Sequence, residues 1–296
     1  MTPTQKELLS YEECFSLINK IRLFENTLFS LFEKGKLSGT THTCVGQEFI
    51  SYCLSKFVKE EDFVFSSHRS HGHFISIFND VKLLLSEIAG FNDSINLGRG
   101  GSQHIFYKNF FSYGVQGGYM PIAAGVGFSK KNRHSSGIVI AIIGDGTFGE
   151  GAVYESLNII SKFEIPVLII IEDNKYAQST SIEENFSGSF SGRSEAFDIP
   201  YLRCNSFDML KCIQNFEKSF NYVNKHKKPI TLHVETYRFN PHSKSDETRD
   251  LEEIKSFIDK DPHSLIKSKI NKAKIIEIEK NNRKEILNIL KELGLN

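Results

Sequence analysis

The sequence predicts an α/β fold built around a mostly parallel sheet. Two uninterrupted β-branched runs carry that prediction, "GIVIAII" at 137–143 and "IPVLIII" at 165–171. Continuous apolar runs of this length mark strands buried on both faces. A helical stretch lies between them, and a third run, "PITLHVETYRF" at 229–239, follows a second helical stretch at 207–224. Strand, helix, strand, helix, strand implies a layered α/β domain.

The remaining elements follow from spacing. In "YEECFSLINKIRLFENTLFSLFEKGKLSG", apolar residues recur at Phe15, Ile18, Ile21, Phe24, Leu28, Leu31 and Phe32, with Gly35 as the stop. That is helix spacing. Further helices are expected over 45–58 and 81–90. Residues 92–118, rich in Gly, Asn, Ser and aromatics, read as one long ordered loop, a length that usually serves function. The tail from Leu251 repeats apolar residues at Ile286, Leu287, Leu290 and Leu293 among Lys and Glu, and reads as docking helices. There is no internal repeat. We expect one domain over 1–296, with N-terminal helices over about 1–60 and a helical extension over about 251–296.

Composition narrows the function classes. The 296 residues carry 36 basic and 36 acidic side chains, so no polyanion or membrane-surface partner is indicated. The five cysteines include no C-x-x-C pair and suggest neither a disulfide framework nor a zinc knuckle. The apolar runs are too short to span a bilayer. The opening "MTPTQKELLSYEECF" is polar and mixed in charge, unlike a signal peptide. A cytoplasmic protein without nucleic-acid or membrane partners is expected.

Chemistry concentrates in "IAIIGDGTFGEGAVYESLNIISKFEIPVLIIIEDNKYAQST", 140–180. In open parallel sheets ligands bind outside the carboxyl ends of strands. Asp145 and Asn174 sit at two such ends, one βα unit apart. Adjacent strands lie about 5 Å apart, so both side chains can reach one ion. A carboxylate plus an amide oxygen suits Mg²⁺, which shares oxygen ligands with phosphates. Gly144 and Gly146 let backbone approach a phosphate, and a helix beginning near Phe148 would aim its N–H groups at it. Gly-Asp-Gly is also a common tight turn, so the motif does not decide the matter alone.

Gly-Asp-Gly followed one βα unit later by a strand ending in Asn resembles the thiamine diphosphate motif. Six stretches in order, "FEKGKLSGTTHTCVGQE", "SSHRSHGH", "GRGGSQH", "GDGTFGEGAVYESLNII", "EDNKYAQST" and "TYRFNPHSKSD", resemble the α subunits of the thiamine diphosphate-dependent 2-oxo acid dehydrogenases. That group includes the pyruvate, branched-chain and acetoin enzymes. The resemblance implies a three-layer αβα thiamine diphosphate-binding fold. It also implies Mg²⁺ held by Asp145, Asn174 and the Tyr176 carbonyl, and an oxidoreductase that decarboxylates a 2-oxo acid and passes on the acyl group. The alternative is the diphosphate-binding half of a split transketolase-like or acetoin-cleaving enzyme.

Carried over position by position, Arg69 grips the diphosphate, with His68 standing where relatives often have Tyr. Gly114 and Gln116 meet the aminopyrimidine ring, and Gly146 and Thr147 lie against the diphosphate. His42 falls at the substrate pocket, His242 near the diphosphate, and His71 is a further catalytic candidate, with His104 beside it and His73 behind both. A histidine-metal reading of "HRSHGH" is disfavoured because Arg69 would repel the cation. "GRGGSQH" would pass under the cofactor and be ordered by it. Gln103, Gln116, Asp173 and Pro241 depart from the usual pattern. The carboxylate that activates the cofactor belongs, in this family, to a second domain of similar size. Glu48 lies in the wrong motif to replace it. A β-type subunit, in a two-α, two-β assembly, is therefore implied, with a lipoyl acyltransferase as a further partner.

Overall fold

The computed structural model describes residues 8–243 and 246–296. The first residues of the expected N-terminal helical region and Lys244 and Ser245 of the "TYRFNPHSKSD" stretch lie outside them. The chain divides into two compact units, each considered by itself.

One unit comprises Phe57–His68 and Phe106–Tyr237 and contains the central sheet. Its strands are β1 (Phe63–Ser66), β2 (Phe106–Tyr107), β3 (Phe110–Ser112), β4 (Val139–Gly144), β5 (Val167–Asp173), β8 (Tyr201–Asn205) and β9 (Ile230–Glu235). Their order is β2-β3-β1-β4-β5-β9-β8, and every pair is parallel except β2 with β3. A small hairpin of β6 (Tyr176–Ala177) and β7 (Thr180–Ser181) stands apart. The β-branched runs are the central strands β4 and β5, as their composition predicts.

Alternation along these strands builds the layers. Val139, Ala141, Ile143, Val167, Ile169 and Ile171 face one side. There they meet Met120, Ala123 and Ala124 of α5 (Met120–Asn132), and Val153, Leu157 and Ile160 of α6 (Gly151–Lys162). The intervening Ile140, Ile142, Leu168 and Ile170 are fully buried on the opposite side. After the short helices α7 (Ile182–Asn185) and α8 (Phe190–Glu195), helix α9 (Met209–His226) packs against β5, β8 and β9. Each such side chain removed from water contributes about 1.5–3 kcal/mol, which holds the strand ends at fixed positions.

The other unit comprises residues 8–56, Arg69–Ile105 and Arg238–Asn296 among those described. It is helical: α1 (Tyr11–Glu33), most of α2 (Glu48–Phe57), α3 (His71–Phe78), α4 (Val81–Ile88), α10 (Leu251–Ile258), α11 (Pro262–Lys267) and α12 (Lys272–Glu292). The apolar positions predicted for α1 are its buried face, and Gly35 follows with φ +67°. The C-terminal helices dock as expected. Asn282 Nδ2 on α12 donates to Ser16 O and Asn19 Oδ1, both at 2.9 Å. Arg22 pairs with Glu48 and with Asp261. Glu48 is thus engaged in the helical packing of its own unit.

Two local expectations need correction. The stretch 92–118 is not one loop, because it contains β2 and β3. Lys108, with φ +51°, makes the two-residue turn that joins them. The helix expected near Phe148 starts later. A 3₁₀ turn, Gly146–Gly149, comes first, since this glycine-rich stretch favours a tight turn over regular helix. Among the described residues no helix is long and apolar enough to cross a membrane, and all five cysteines are buried and unbridged.

Candidate active site

In the sheet unit, the residues singled out by sequence leave the carboxyl ends of parallel strands. His68 follows β1, Gly114 and Gln116 follow β3, Asp145 follows β4, and Asn174 and Tyr176 follow β5. The chain runs from β1 to β3 on one side and then to β4 on the other. This is the strand-order reversal at which open α/β sheets bind ligands.

The register fixes the centre of this arrangement. Gly144 is paired with Glu172, so Asp145 stands level with Asp173 and one residue short of Asn174. Asp145 is 2% exposed. Its Oδ1 accepts the Gly146 N–H at 2.7 Å and caps the 3₁₀ turn. Its Oδ2 is buried with no hydrogen-bond partner. Burial, and then the neighbouring charge of Asp173, push its carboxyl well above the usual range. Beyond β5 the backbone turns sharply. The Lys175 N–H bonds to Asp173 Oδ1 at 3.0 Å, and the Tyr176 N–H to Asn174 Oδ1 at 3.2 Å. Lys175 adopts φ +72°, a conformation that costs a non-glycine residue energy and gathers at functional sites.

These residues fit a hard cation and a diphosphate. A carboxylate oxygen buried without a donor is unfavourable unless a cation faces it. Asp145 Oδ2 and the amide oxygen of Asn174 are of the oxygen-ligand type that Mg²⁺ requires. At Gly146 a Cβ would lie 2.5 Å from the Ala177 Cβ, so only glycine lets this backbone pass so close to the hairpin. Gln116 donates through Nε2 to Tyr113 O at 2.8 Å and to Gly114 O at 3.2 Å. Its Oε1 is a second buried acceptor without a partner, suited to a ligand N–H.

The helical unit gathers a different set. The rings of His42 and His242 meet edge to face at 4.6 Å. Arg69, 4% exposed, donates through Nη1 to Thr43 O and reaches His242 Nδ1 through Nη2 at 3.5 Å. The backbone before His242 is tied down by the Phe239 N–H to Val45 O at 2.9 Å and by Asn240 Nδ2 to Thr43 Oγ1 at 3.0 Å. Burial, then the Arg69 charge, lower His42 to about 3 and His242 to about 4. Both rings are therefore neutral at pH 7. Their depressed pKa values stabilise the fold above the ordinary imidazole value near 6.5. That contribution is lost as pH falls through the folded values. In an NMR titration the His42 and His242 Cε1 protons should stay flat from pH 8 to 5. A midpoint near 6.5 for either would contradict this account.

The comparisons decide the family. Residues 18–293 match the family described as dehydrogenase E1 component. The chain belongs to that family. Over 295 residues it is 30% identical to the pyruvate dehydrogenase E1 component subunit alpha of Zymomonas mobilis, covering 95% of this chain and 82% of that one. Its identity to the Rickettsia bellii protein of the same name is 30% over 263 residues, covering 87% and 81%. The testis-specific mitochondrial form of the rat subunit is also 30% identical, over 281 residues, covering 93% and 71%. This E1 chain is the α subunit of a thiamine diphosphate-dependent 2-oxo acid dehydrogenase.

Within the E1 chain, sequence reasoning missed the residues that hold the glycine loop. Glu87, fully buried, accepts the N–H groups of Asn96, Gly98, Gly100 and Gly101 at 2.6–3.2 Å and the Ser94 hydroxyl at 2.7 Å. Burial opposes its charge, but these donors outweigh it and lower its pKa. Gly98, at φ +69°, sits against the Gly90 backbone, where any Cβ would collide. The loop is thus ordered by the chain itself. Its far end reaches His71, whose Nε2 meets Ser102 Oγ at 2.8 Å while Nδ1 meets Glu25 at 3.0 Å. Both His71 nitrogens are engaged in a fully buried strut. Gln103 makes a long 3.5 Å contact to His42 Nδ1. Only the "GRGGSQH" pattern hinted at this, since a buried acid on a helix has no local sequence signature. Glu87→Gln should speed amide exchange at Asn96, Gly98, Gly100 and Gly101 at least ~10-fold, because hydrogen bonds to a charged group are each worth about 1.5–3 kcal/mol. Unchanged exchange would show the loop is held by other means.

Proposed function

We propose that this E1 chain binds thiamine diphosphate through Mg²⁺ held by Asp145, Asn174 and the Tyr176 carbonyl. Gly146 and Thr147 lie against the diphosphate, Arg69 and His68 contact it, and Gly114 and Gln116 receive the aminopyrimidine ring. The observation that carries this reading is the buried, partnerless Asp145 Oδ2, level with the turn that begins at Asp173. When bound, thiamine diphosphate supplies the electron sink on which a 2-oxo acid loses CO₂.

His42 lies at the substrate pocket and His242 stabilises intermediates near the diphosphate, both as neutral rings that act through hydrogen bonds, a role supported by their mutual contact and by the Arg69 guanidinium beside them. His71, both of whose nitrogens are engaged, keeps Ser102 and its loop in place. The reaction is that of an oxidoreductase acting on the oxo group of its donor. The relatives' name, "subunit alpha", supports a β-type subunit that supplies the carboxylate to the pyrimidine, in a two-α, two-β assembly. A lipoyl acyltransferase would take the acyl group. Five unbridged cysteines suit a reducing, cytoplasmic setting.

A panel of 2-oxo acids with an artificial electron acceptor, given to the chain with its β-type subunit, should reveal turnover of at least one member. Turnover of ketose phosphates and of no 2-oxo acid would overturn this reading.

A further inference from the structure

Behind the candidate metal carboxylate lies a row of buried polar groups that the proposed function does not use. Asp173, 8% exposed, stands level with Asp145 at the end of the adjacent strand. Its own oxygens are both engaged. Oδ1 accepts the Lys175 N–H at 3.0 Å, and Oδ2 faces His233 Nε2 at 2.9 Å. His233, 3% exposed on β9, meets the Tyr201 hydroxyl of β8 through Nδ1 at 2.6 Å. The ring is clamped against Phe190 at 4.4 Å. Tyr201 O–H to Nδ1 and Nε2–H to Asp173 satisfy every group in the row. Three adjacent parallel strands, β5, β9 and β8, set this spacing.

We propose that Asp173, fixed by His233 and Tyr201, is a positioning and charge-supplying residue that strengthens metal binding at Asp145 without ligating the ion. Two features point this way. With both oxygens engaged, Asp173 is poorly placed to turn a lone pair to a metal. Its charge nevertheless lies in a buried setting beside Asp145, where opposite charge acts strongly and salt screens little. A second carboxylate next to the first is unfavourable in the metal-free fold, and a divalent cation offsets both. His233 and Tyr201 stop Asp173 from turning toward the ion and crowding its coordination shell. Partners outside the ligand sphere commonly change metal affinity 10–100-fold. This inference rests on Asp145 being a metal ligand.

The test uses the full chain with its β-type subunit and thiamine diphosphate, with Mn²⁺ as the probe. Free Mn²⁺ is read by its electron paramagnetic signal. Asp173→Asn keeps an acceptor oxygen for the Lys175 N–H, and its NH₂ can donate to His233 Nε2 once that ring carries its proton on Nδ1 and donates to Tyr201, but the charge is removed. It should raise the free Mn²⁺ at half occupancy about ten-fold or more, with the same number of sites filled at saturation. Tyr201→Phe, which only loosens the clamp, should raise it a few-fold, the usual effect of one lost hydrogen bond. An unmoved midpoint in Asp173→Asn overturns the proposal. If that variant fails to fold, an unmoved midpoint in Tyr201→Phe does so. Asp145→Ala separates the two claims. Normal Mn²⁺ uptake in that variant removes the metal reading and this proposal with it. Lost uptake there, with Asp173→Asn unmoved, removes this proposal alone.

Discussion

Asp145→Ala should weaken metal-dependent thiamine diphosphate binding by more than about a hundred-fold, since it removes a direct oxygen ligand where even outer partners are worth 10–100-fold. Calorimetric titration of cofactor with Mg²⁺ reads this directly, and undiminished binding would contradict the assignment. The same site predicts an opposite effect on the metal-free fold. Asp145 is buried, its Oδ2 has no donor, and Asp173 stands beside it. Its folded pKa is raised, so the charge destabilises the fold progressively as pH rises through that value. Asp145→Asn should therefore stabilise the metal-free chain by roughly 1–3 kcal/mol at pH 8, the scale of an uncompensated buried polar group. The gain should vanish once cofactor and metal stabilise the parent by mass action. Thermal melts with and without the cofactor separate the two arms.

The second large effect concerns the partner. If, as proposed, the β-type subunit supplies the carboxylate to the cofactor pyrimidine, the chain alone should show less than about one percent of the turnover of the assembled enzyme, because losing such a group commonly costs 10²–10⁴-fold. Two apolar side chains of the sheet unit are well exposed. Val115, between the ring-binding candidates Gly114 and Gln116, is 73% exposed, and Ile122 of α5 is 47% exposed. Apolar side chains beside a ligand loop favour coverage by another subunit. Val115→Asp should weaken assembly in sedimentation while leaving the fold intact by circular dichroism. Full turnover by the purified chain alone would refute the requirement.

Much of this was legible in the sequence because the relevant signals are local. The runs at 137–143 and 165–171 had one physical solution, central parallel strands, and that placed Asp145 and the turn from Asp173 to Tyr176 correctly. The short strands were hidden. β1 has four residues, and β2 has two. Neither is long enough to show a period, and their identity comes from pairing with distant strands. Helix α3 begins inside "HRSHGH", where the histidines drew attention to chemistry and away from helix formation.

The site divides the same way. Candidate ligand residues were visible because Gly-Asp-Gly and the strand-ending Asn announce themselves. The supporting residues were not. Glu87, Glu25 and Tyr201 act across 9–46 residues of chain, and only the fold brings their partners to them. Asp173 was visible as a departure from the family pattern. Its meaning appeared only when β9 placed His233 against it. A histidine in the otherwise apolar run of β9 was the one signal that could have flagged the pairing beforehand.

The central claim is that Asp145 and Asn174 hold the metal against the cofactor diphosphate. A crystal of the assembled enzyme grown with thiamine diphosphate and Mn²⁺, with anomalous data collected above the Mn edge, tests it most directly. One peak about 2.1–2.2 Å from Asp145 Oδ2 and the Asn174 amide oxygen, a distance typical of small hard cations, with the Tyr176 carbonyl as third protein ligand, is the predicted result. A peak on the imidazoles of His42 and His242, or a diphosphate bound with no peak beside Asp145, would contradict it.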